Sequence, residues 1–555
     1  VEHVGEYPDQ QRAALHSGHG PVDHVALQRF GIQGAGESKD APVFRRSGAG
    51  QVRQIIEQSF IESGDAGWHA FNAANGEELF AYIPSFLVQH LSELTSTAYV
   101  HRSYVDATPA VGEANLGTAS SPNWKTVLVS GVGAGAQGVF ALDVTNPSAF
   151  TAASVLWEFT DADDPALGNV IGKPQILKLR TSAASATTPT YKWFAVFASG
   201  VNNYVNDGAG RFSATGYPAL FFLDLAKPHG TAWTEGSNYF KIVFPQSSTA
   251  VATGMAGFSA TGGPAGEVAQ IYAGDLQGNL WKLDFMPSPA ANATAMDVSA
   301  RLGASATALS ASNPLFIARS GTTLQPISME PALLSGPNRS TIVAFGTGKF
   351  LETDDIAGPY GTQSVYAILD NNTARIPGRG RLNPVTQNAS TGALSATAFA
   401  WGIPSADSDN SVRAGWYFDF AGSATSGERQ ISAMALFGNN LIFGSVMPAQ
   451  NGCDEGGGKL YAVAQSSGVG SSATSTVGIL GAPFVLQTGS ATLTVSDSTG
   501  LRKRTTKGQI VLQGSSGLTT VADPSAGGVM SYTDNVGRLS WRQINNFHEI
   551  KATTP

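Results

Sequence analysis

The chain is short of charge, of cysteine and of long apolar runs. Charged residues make up 13% of its 555 positions, about half the usual share for a soluble domain. That excludes an architecture of long surface helices, which draw on Glu, Lys and Arg. A single cysteine, Cys453, excludes an internal disulfide framework. No apolar run reaches the roughly 18 residues that cross a bilayer. There is no excess of positive charge either. The net charge is −8, which argues against nucleic acid as a partner, because that would need a basic stripe. Glycine is abundant at 64 residues, with 28 prolines. Ser, Thr, Asn and Ala fill much of the remainder. Such a composition makes many short strands and tight turns, and it leans towards an exported protein.

Residues 1–50 are rich in His, Gln, Gly and charge without sustained periodicity, and read as an irregular lead-in. The chain opens at Val1 with no signal-peptide pattern, so it is read as a mature or cut piece of something longer. A short helix suits Gln51–Phe60. From there to residue 555 the chain reads as one domain built on a recurring phrase: a small residue, hydrophobics around an aromatic, often Asp, then a turn. Its copies are GWHAFNAANG (67–76), GVFALDVTNP (138–147), ALFFLDLAKP (219–228), GNLWKLDFMP (278–287), SVYAILDNN (364–372) and GKLYAVAQSSG (458–468), with a distant echo in GRLSWRQI (537–544). The Asp is placed to accept hydrogen bonds from backbone N–H groups of the turn after it. A second phrase precedes each copy: ATPAVGEA (107–114), GKPQILKL (172–179), GFSAT (257–261), MEPALL (329–334) and ISAMALF (431–437). Between the two lies a third strand, as in WKTVLVSG (124–131) or STIVAFGTG (340–348).

One unit is therefore strand, strand, turn, strand, repeated six or seven times. A small sheet cannot bury both faces alone, whereas radial stacking of such sheets buries them all, which predicts an all-β propeller. The repeat is longer than in compact propellers. The excess falls in stretches such as 181–190, 286–313 and 383–398, read as rim insertions. SFLVQHLSEL (85–94) has helical spacing at Phe86, Leu87, His90, Leu91 and Leu94 and is expected to pack against the ring as a helix. The last hundred residues are expected to complete the final blade, with strands from both chain ends sharing one sheet.

Seven phrases carry a resemblance. WHAFNAANGEELFAYIPS (68–85), HRSYVDATPAVGEA (101–114), WKTVLVSGVGAGAQGVFALDVTNP (124–147), LWEFTDADDPALGNVIGKP (156–174), IYAGDLQGNLWKLDF (271–285), FGTGKFLETDD (345–355) and GRLSWRQI together resemble, in order, the C-terminal domain of the PilC/PilY family of type IV pilus tip-associated proteins. The resemblance implies a modified seven-bladed β-propeller in an exported, non-enzymatic protein at the pilus tip or outer cell surface, reached through the periplasm. It implies pilus assembly, opposition to retraction and surface attachment through rim loops. Its partners would be pilin and minor pilin subunits, and host or abiotic surfaces. A variable N-terminal region that family members carry ahead of the propeller is missing here.

Many members of that family hold calcium in an Asp-rich loop before the YAGDLQGNLWK phrase. Calcium needs six to eight oxygens at 2.3–2.6 Å. Here the expected ligand positions are Thr261, Gly263, Ala265 and Ala269. The turn glycine Gly266 remains, and Glu267 is the loop's one carboxylate. The family's calcium is therefore not carried over, and no cofactor is expected. The weak cation candidates are Asp161, Asp163 and Asp164 in FTDADDPALG. The preferred alternative is a solvated turn in which Asp caps backbone N–H groups, and Asp354 and Asp355 are read the same way.

Catalytic signals are thin. AFNAANGEELFAYIP is similar to the tryptophan-docking repeat of quinoprotein (PQQ-dependent) dehydrogenases, which gives an oxidoreductase as the alternative function and a scaffold unrelated to pili as another. Those enzymes typically use an adjacent Cys–Cys pair, which Cys453 alone cannot form. No G-x-S-x-G elbow occurs. His69 and His101 have no acid at a catalytic spacing in the sequence and read as structural polar residues. GVGAGAQG (131–138) joins two strands rather than a strand to a helix, so it reads as a glycine-rich hairpin and not a phosphate loop. Trp68, Trp124, Trp157, Trp193, Trp281 and Trp541 fall in strand phrases and are expected in the core between blades.

Overall fold

The computed structural model describes residues 58–62, 67–99, 103–182, 187–206, 211–248, 251–285, 314–372, 375–449, 456–488, 492–495, 502–521 and 530–536. The lead-in 1–50, His101, the insertion 286–313, Cys453 and the echo GRLSWRQI lie outside them.

Seven sheets of three or more strands follow one another along the described chain. The second is typical. Ala110–Asn115, Trp124–Gly131, Gly138–Asp143 and Val155–Thr160 pair antiparallel in chain order, with Val129 opposite both Ala110 and Ala141. Gln175–Arg180, Tyr191–Ala198, Ala219–Asp224 and Tyr239–Val243 make the third sheet, and Phe258–Gly262, Val268–Gly274, Asn279–Asp284 and Phe316–Ile317 the fourth. The fifth is built on Ala332–Ser335, Thr341–Gly346, Ser364–Asp370 and Gly415–Asp419, and the sixth on Ala435–Phe437, Asn440–Gly444, Lys459–Ala464 and Gly470–Thr474. In these five sheets the aromatic–Asp phrase is the third strand and the two earlier phrases are the first and second. The fourth strand had no phrase of its own in the sequence.

The terminal sheets differ. The first holds Gln58–Glu62, Trp68–Asn72 and Glu78–Tyr82, so its phrase strand is central in three. Gln58–Phe60, expected in a short helix, is strand instead, because it pairs residue by residue with Ala70–Asn72. The seventh sheet is organised around the long strand Arg502–Gly514, which pairs with four others. Among the described residues no sheet mixes strands from the two chain ends, and GRLSWRQI, one of the strands expected to close the ring, lies outside them.

Why the strands read as near-continuous apolar runs is clear from their packing. All six residues of Ala219–Asp224 are buried. Period 2 sends Ala219, Phe221 and Leu223 towards the second sheet and Leu220 and Phe222 towards the fourth. The same division holds from sheet to sheet, and six apolar clusters fill the six seams between the seven sheets. A strand buried on both faces has no polar face to alternate with. Phe197 stacks on Phe221 at 5.5 Å in the second seam. Each fully buried Phe contributes about 1.5–3 kcal/mol of transfer free energy.

Ser85–Thr95 is helical as expected, but as a 3₁₀ run of 11 residues. Its Leu87 is fully buried, with Phe86, Leu91 and Leu94 packed on the first seam. Gly138 lacks a Cβ where one would strike the Phe86 ring. Glu158 on the second sheet accepts from the Tyr82 hydroxyl and the Ser85 N–H, which fixes where the run starts.

The stretch 383–398 is more than a rim insertion. After the fifth sheet's third strand the chain lays Asn383–Pro384 parallel to Trp416–Tyr417. It then adds the hairpin Thr386–Gln387 and Ala393–Ser395 to the outer edge of the sixth sheet at Gly470–Ser471. A strap thus joins the outer edges of two sheets.

Candidate functional site

Strand polarity divides the loops between two rims. The connection rim holds the links from sheet to sheet and the turns from second to third strand. The hairpin rim holds the other turns.

Successive connection-rim loops are tied to one another. In GVGAGAQG the Gly133 N–H donates to the Val170 carbonyl, and Asn169 Nδ2 donates back to the carbonyls of Gly133 and Ala136 at 3.0 and 3.3 Å. Asp106 Oδ1 accepts from the Ala134 N–H at 3.1 Å, and a Cβ on Gly133 or Gly135 would collide with Asp106 or the Tyr104 backbone. The glycines serve close packing, consistent with a loop between strands. Gly200–Val201 then pairs with Gly254–Met255, and Asn203 Nδ2 spans the carbonyls of Ala166 and Tyr217. Farther round, the Gly348 N–H donates to the Pro326 carbonyl, and Arg429 Nη1 to the Lys349 carbonyl at 2.7 Å.

The three aspartates of FTDADDPALG do not converge on one point. Asp163 caps the Thr160 N–H at 2.9 Å, as a turn Asp should. Asp164 departs from the solvated reading. It is buried and accepts from the Ala166 N–H at 2.9 Å, the Tyr239 hydroxyl at 2.9 Å and Lys241 Nζ at 2.6 Å. It joins the second sheet's exit to the third sheet's outer strand, and the cation it holds is a lysine. Asp161 is half-buried beside them. Asp355 also proves buried, capping the Leu351 and Glu352 N–H groups and pairing with Lys349 Nζ at 2.7 Å, while Asp354 stays exposed.

Two further buried carboxylates were not singled out from the sequence. Asp275, in the YAGDLQGN hairpin, accepts from the Gln277 and Asn279 N–H groups, Asn279 Nδ2 and Trp281 Nε1, all at 2.8–2.9 Å. Burial pushes its carboxyl up to about 6 against those donors. Gln277 beside it holds the Ser247 and Ser248 N–H groups and the Ser248 and Val251 carbonyls. Glu428 is fully buried and accepts from Ser445 Oγ, Lys459 Nζ and the Tyr461 hydroxyl at 2.6–2.8 Å. Sequence spacing could not pair residues 17–33 apart.

On the hairpin rim the repeated Asp does what its phrase suggests. Asp143, Asp224 and Asp370 each accept from the backbone N–H two residues on, and each also binds a lysine, Lys125, Lys192 or Lys282. His69, read as lacking an acid, meets Glu78 at 2.8 Å across its hairpin. Trp68, Trp157 and Trp281 are buried, but Trp124 is 55% exposed, edge-on to Trp193. It starts its strand at the sheet's end, where the third sheet touches it through Trp193 but leaves more than half of it exposed.

The calcium loop of the resemblance is the hairpin between the fourth sheet's first two strands. Gly266 turns it with φ 75°. Glu267 spends its carboxylate on the Ala265 N–H at 2.8 Å, and Lys178 Nζ donates to the Ala265 carbonyl at 2.8 Å. One carboxylate, already hydrogen-bonded, beside a backbone carbonyl taken by an ammonium, is not the oxygen cage calcium requires, so the residues here do not fit that ion. Among the described residues, no group of three or more His, Cys, Asp or Glu is placed to hold a metal.

A family profile described as the PilY1 beta-propeller domain matches residues 45–400. The chain belongs to the PilY1 β-propeller family. It is 30% identical over 430 residues to a type IV pilus biogenesis factor PilY1 homolog of Xylella fastidiosa, covering 76% of this chain and 27% of that protein. It is 30% identical over 443 residues to the type IV pilus biogenesis factor PilY1 of Pseudomonas aeruginosa, covering 73% and 35%. The chain thus spans about a third of the length of these PilY1 relatives. The crystal structure of the P. aeruginosa PilY1 C-terminal domain matches with a TM-score of 0.54 and 23% identity, over 84% of this chain and 92% of that domain. Propeller architecture therefore agrees with the PilY1 family. No helix among the described residues is long and apolar enough to cross a membrane.

Proposed function

We propose that this chain is the propeller part of a type IV pilus biogenesis factor. The observation that carries the reading is the match of residues 45–400 to the PilY1 propeller. In this reading the seven sheets are seven blades of a rigid ring, exported to the pilus tip or outer surface. The ring acts without catalysis. Its loops contact pilin and minor pilin subunits, support assembly, oppose retraction and attach to host or abiotic surfaces. The loop-to-loop hydrogen bonds of the connection rim support this, because a pre-ordered surface loses little entropy on docking.

The test is deletion of the gene, followed by scoring of surface pili and twitching, with complementation by the full-length protein. Loss of piliation restored by the gene is expected. Unchanged piliation would overturn the reading in favour of an unrelated scaffold. Stoichiometric PQQ uptake with calcium and dye-linked alcohol oxidation would overturn it in favour of a quinoprotein.

A further inference from the structure

The hairpin-rim Asp pairs with a lysine in three sheets, and one of the three differs from the others. Lys125 and Asp143 both lie in the second sheet, and Lys192 and Asp224 in the third, whereas Lys282 of the fourth sheet reaches Asp370 of the fifth. The residue whose N–H the Asp caps differs too. It is Thr145 and Ala226 in the first two cases and Asn372 in the last. Asn372 has φ 63°, in the left-handed region that Asn tolerates. Its side-chain carbonyl meets the same lysine. Lys282 Nζ is 2.5 Å from Asp370 Oδ2 and 2.5 Å from Asn372 Oδ1. An amine, a carboxylate and a carboxamide therefore converge.

Their surroundings suit a reaction between them. The Asp370 side chain is 2% exposed and that of Lys282 17%. Asn372 is exposed, which gives a leaving group a way out. Tyr272, opposite Lys282 on the next strand, donates its hydroxyl to Asp370 Oδ2 at 2.6 Å. Burial, and next the Asp370 charge, push the pKa of that hydroxyl up, so it stays a donor and holds the carboxylate in place. Gln270 Nε2 donates to Asn372 Oδ1 at 2.7 Å, the oxygen on which negative charge develops when an amide carbon is attacked. A C=O bond adds only about 1.23 Å to the Nζ–Oδ1 contact, so that carbon is within about 3.7 Å of Nζ, close to the near-attack range.

We propose that Lys282 and Asn372 form an intramolecular isopeptide bond that joins the fourth sheet to the fifth. Asp370 carries the protons. It takes one from Nζ, and the freed amine attacks Cγ of Asn372. The Nζ–Cγ bond forms while Gln270 faces the developing oxyanion. Asp370 moves two protons in turn from Nζ to Nδ2, the Cγ–Nδ2 bond breaks, and ammonium leaves. The carboxylate is regenerated, and neither an oxidant nor a further reactant is consumed. Thr145 and Ala226 offer no carboxamide, so the second and third sheets keep the ion pair alone.

The experiment is intact mass spectrometry of the denatured full chain after prolonged incubation of the folded protein, followed by tandem mass spectrometry of a digest. The native chain is expected about 17 Da below its sequence mass, the loss of one ammonia, with a peptide pair joined through Lys282 and Asn372. Lys282→Arg and Asn372→Ala are each expected at full sequence mass. Asp370→Ala, shown to be folded by circular dichroism, is expected to stay unlinked with both partners present. A folded native chain at full sequence mass overturns the proposal. So does a loss of about 17 Da without the joined pair, which would be a succinimide at an Asn, or a loss of about 18 Da mapped to Lys282 and Asp370, which would be a bond to the carboxylate. A folded Asp370→Ala variant that still links Lys282 to Asn372 overturns the role given to Asp370.

Discussion

Asp164 offers the sharpest test of how the sheets are held together. The sequence offered it as a weak cation ligand or a solvated cap, and the structure makes it a buried link between two sheets. Asp164→Ala removes acceptors for the Ala166 N–H, the Tyr239 hydroxyl and Lys241 Nζ. Lys241 would keep only Glu235, at 3.4 Å and half exposed. Removing one partner of a buried pair costs about 3–5 kcal/mol, chiefly because the other charge is stranded. Asp164→Asn retains acceptor capacity without charge and should cost about half as much. Asp164→Ala with Lys241→Met strands no charge, so it should lie closer to native than Asp164→Ala alone. Equilibrium urea unfolding followed by tryptophan fluorescence measures all three, with Trp233 packed on Tyr239 as a nearby reporter. A solvated cap would cost under about 0.5 kcal/mol. An Asp164→Ala variant within about 1 kcal/mol of native, or a double variant with simply additive loss, would refute the reasoning.

Asp275 predicts a pH effect. Its folded-state carboxyl titrates near 6 against an ordinary 3.8, so its contribution to stability is full below about 3.8 and is lost as pH rises through 6. Between pH 5 and 7.5 it should withdraw roughly 1–2 kcal/mol. Asn in its place should be less stable overall, because its amide N–H groups would face Trp281 Nε1, and should lack that component of the pH slope; an identical slope in the two proteins would count against it. Gly172→Ala should destabilise by about 1–3 kcal/mol or more, since its Cβ would overlap the Ala256 carbonyl oxygen, backbone that cannot yield cheaply. Thermal melting decides that one, and an unchanged midpoint would contradict the close approach of the two connections.

Much of this was legible because the repeat is written in local chemistry. A strand such as ALFFLD, buried on both faces, is an unbroken apolar run wherever it sits, and the Asp after it needs only a backbone N–H two residues away. Three strands of most sheets could therefore be read directly. The fourth strand could not: Phe316–Ile317 and Gly470–Thr474 have little in common beyond their place at an edge. The sites were less legible for a related reason. Asp164 meets Lys241 across 77 residues and Glu428 meets Lys459 across 31, and nothing in either segment marks the other. Trp124 misled because its phrase matched a core strand, while its position at the strand's first residue leaves it at the seam's margin, touched only on one side by Trp193. The shortage of carboxylates at 261–269 is local and visible in the sequence, but the lysine from a neighbouring sheet that bonds the Ala265 carbonyl is not.

The strap at 383–398 makes the seams mechanically unequal. Most neighbouring sheets meet through side chains and through scattered main-chain hydrogen bonds between their loops. The fifth and sixth are joined in addition by one continuous strap, which pairs as a strand with both, through Asn383–Pro384 on one edge and Ala393–Ser395 on the other. Prising them apart means peeling backbone ladders as well as separating side chains. A pulling force applied round the ring would therefore open elsewhere first. The strapped pair would stay together as one stiff double sheet, and strain would collect in the seams without such a tie.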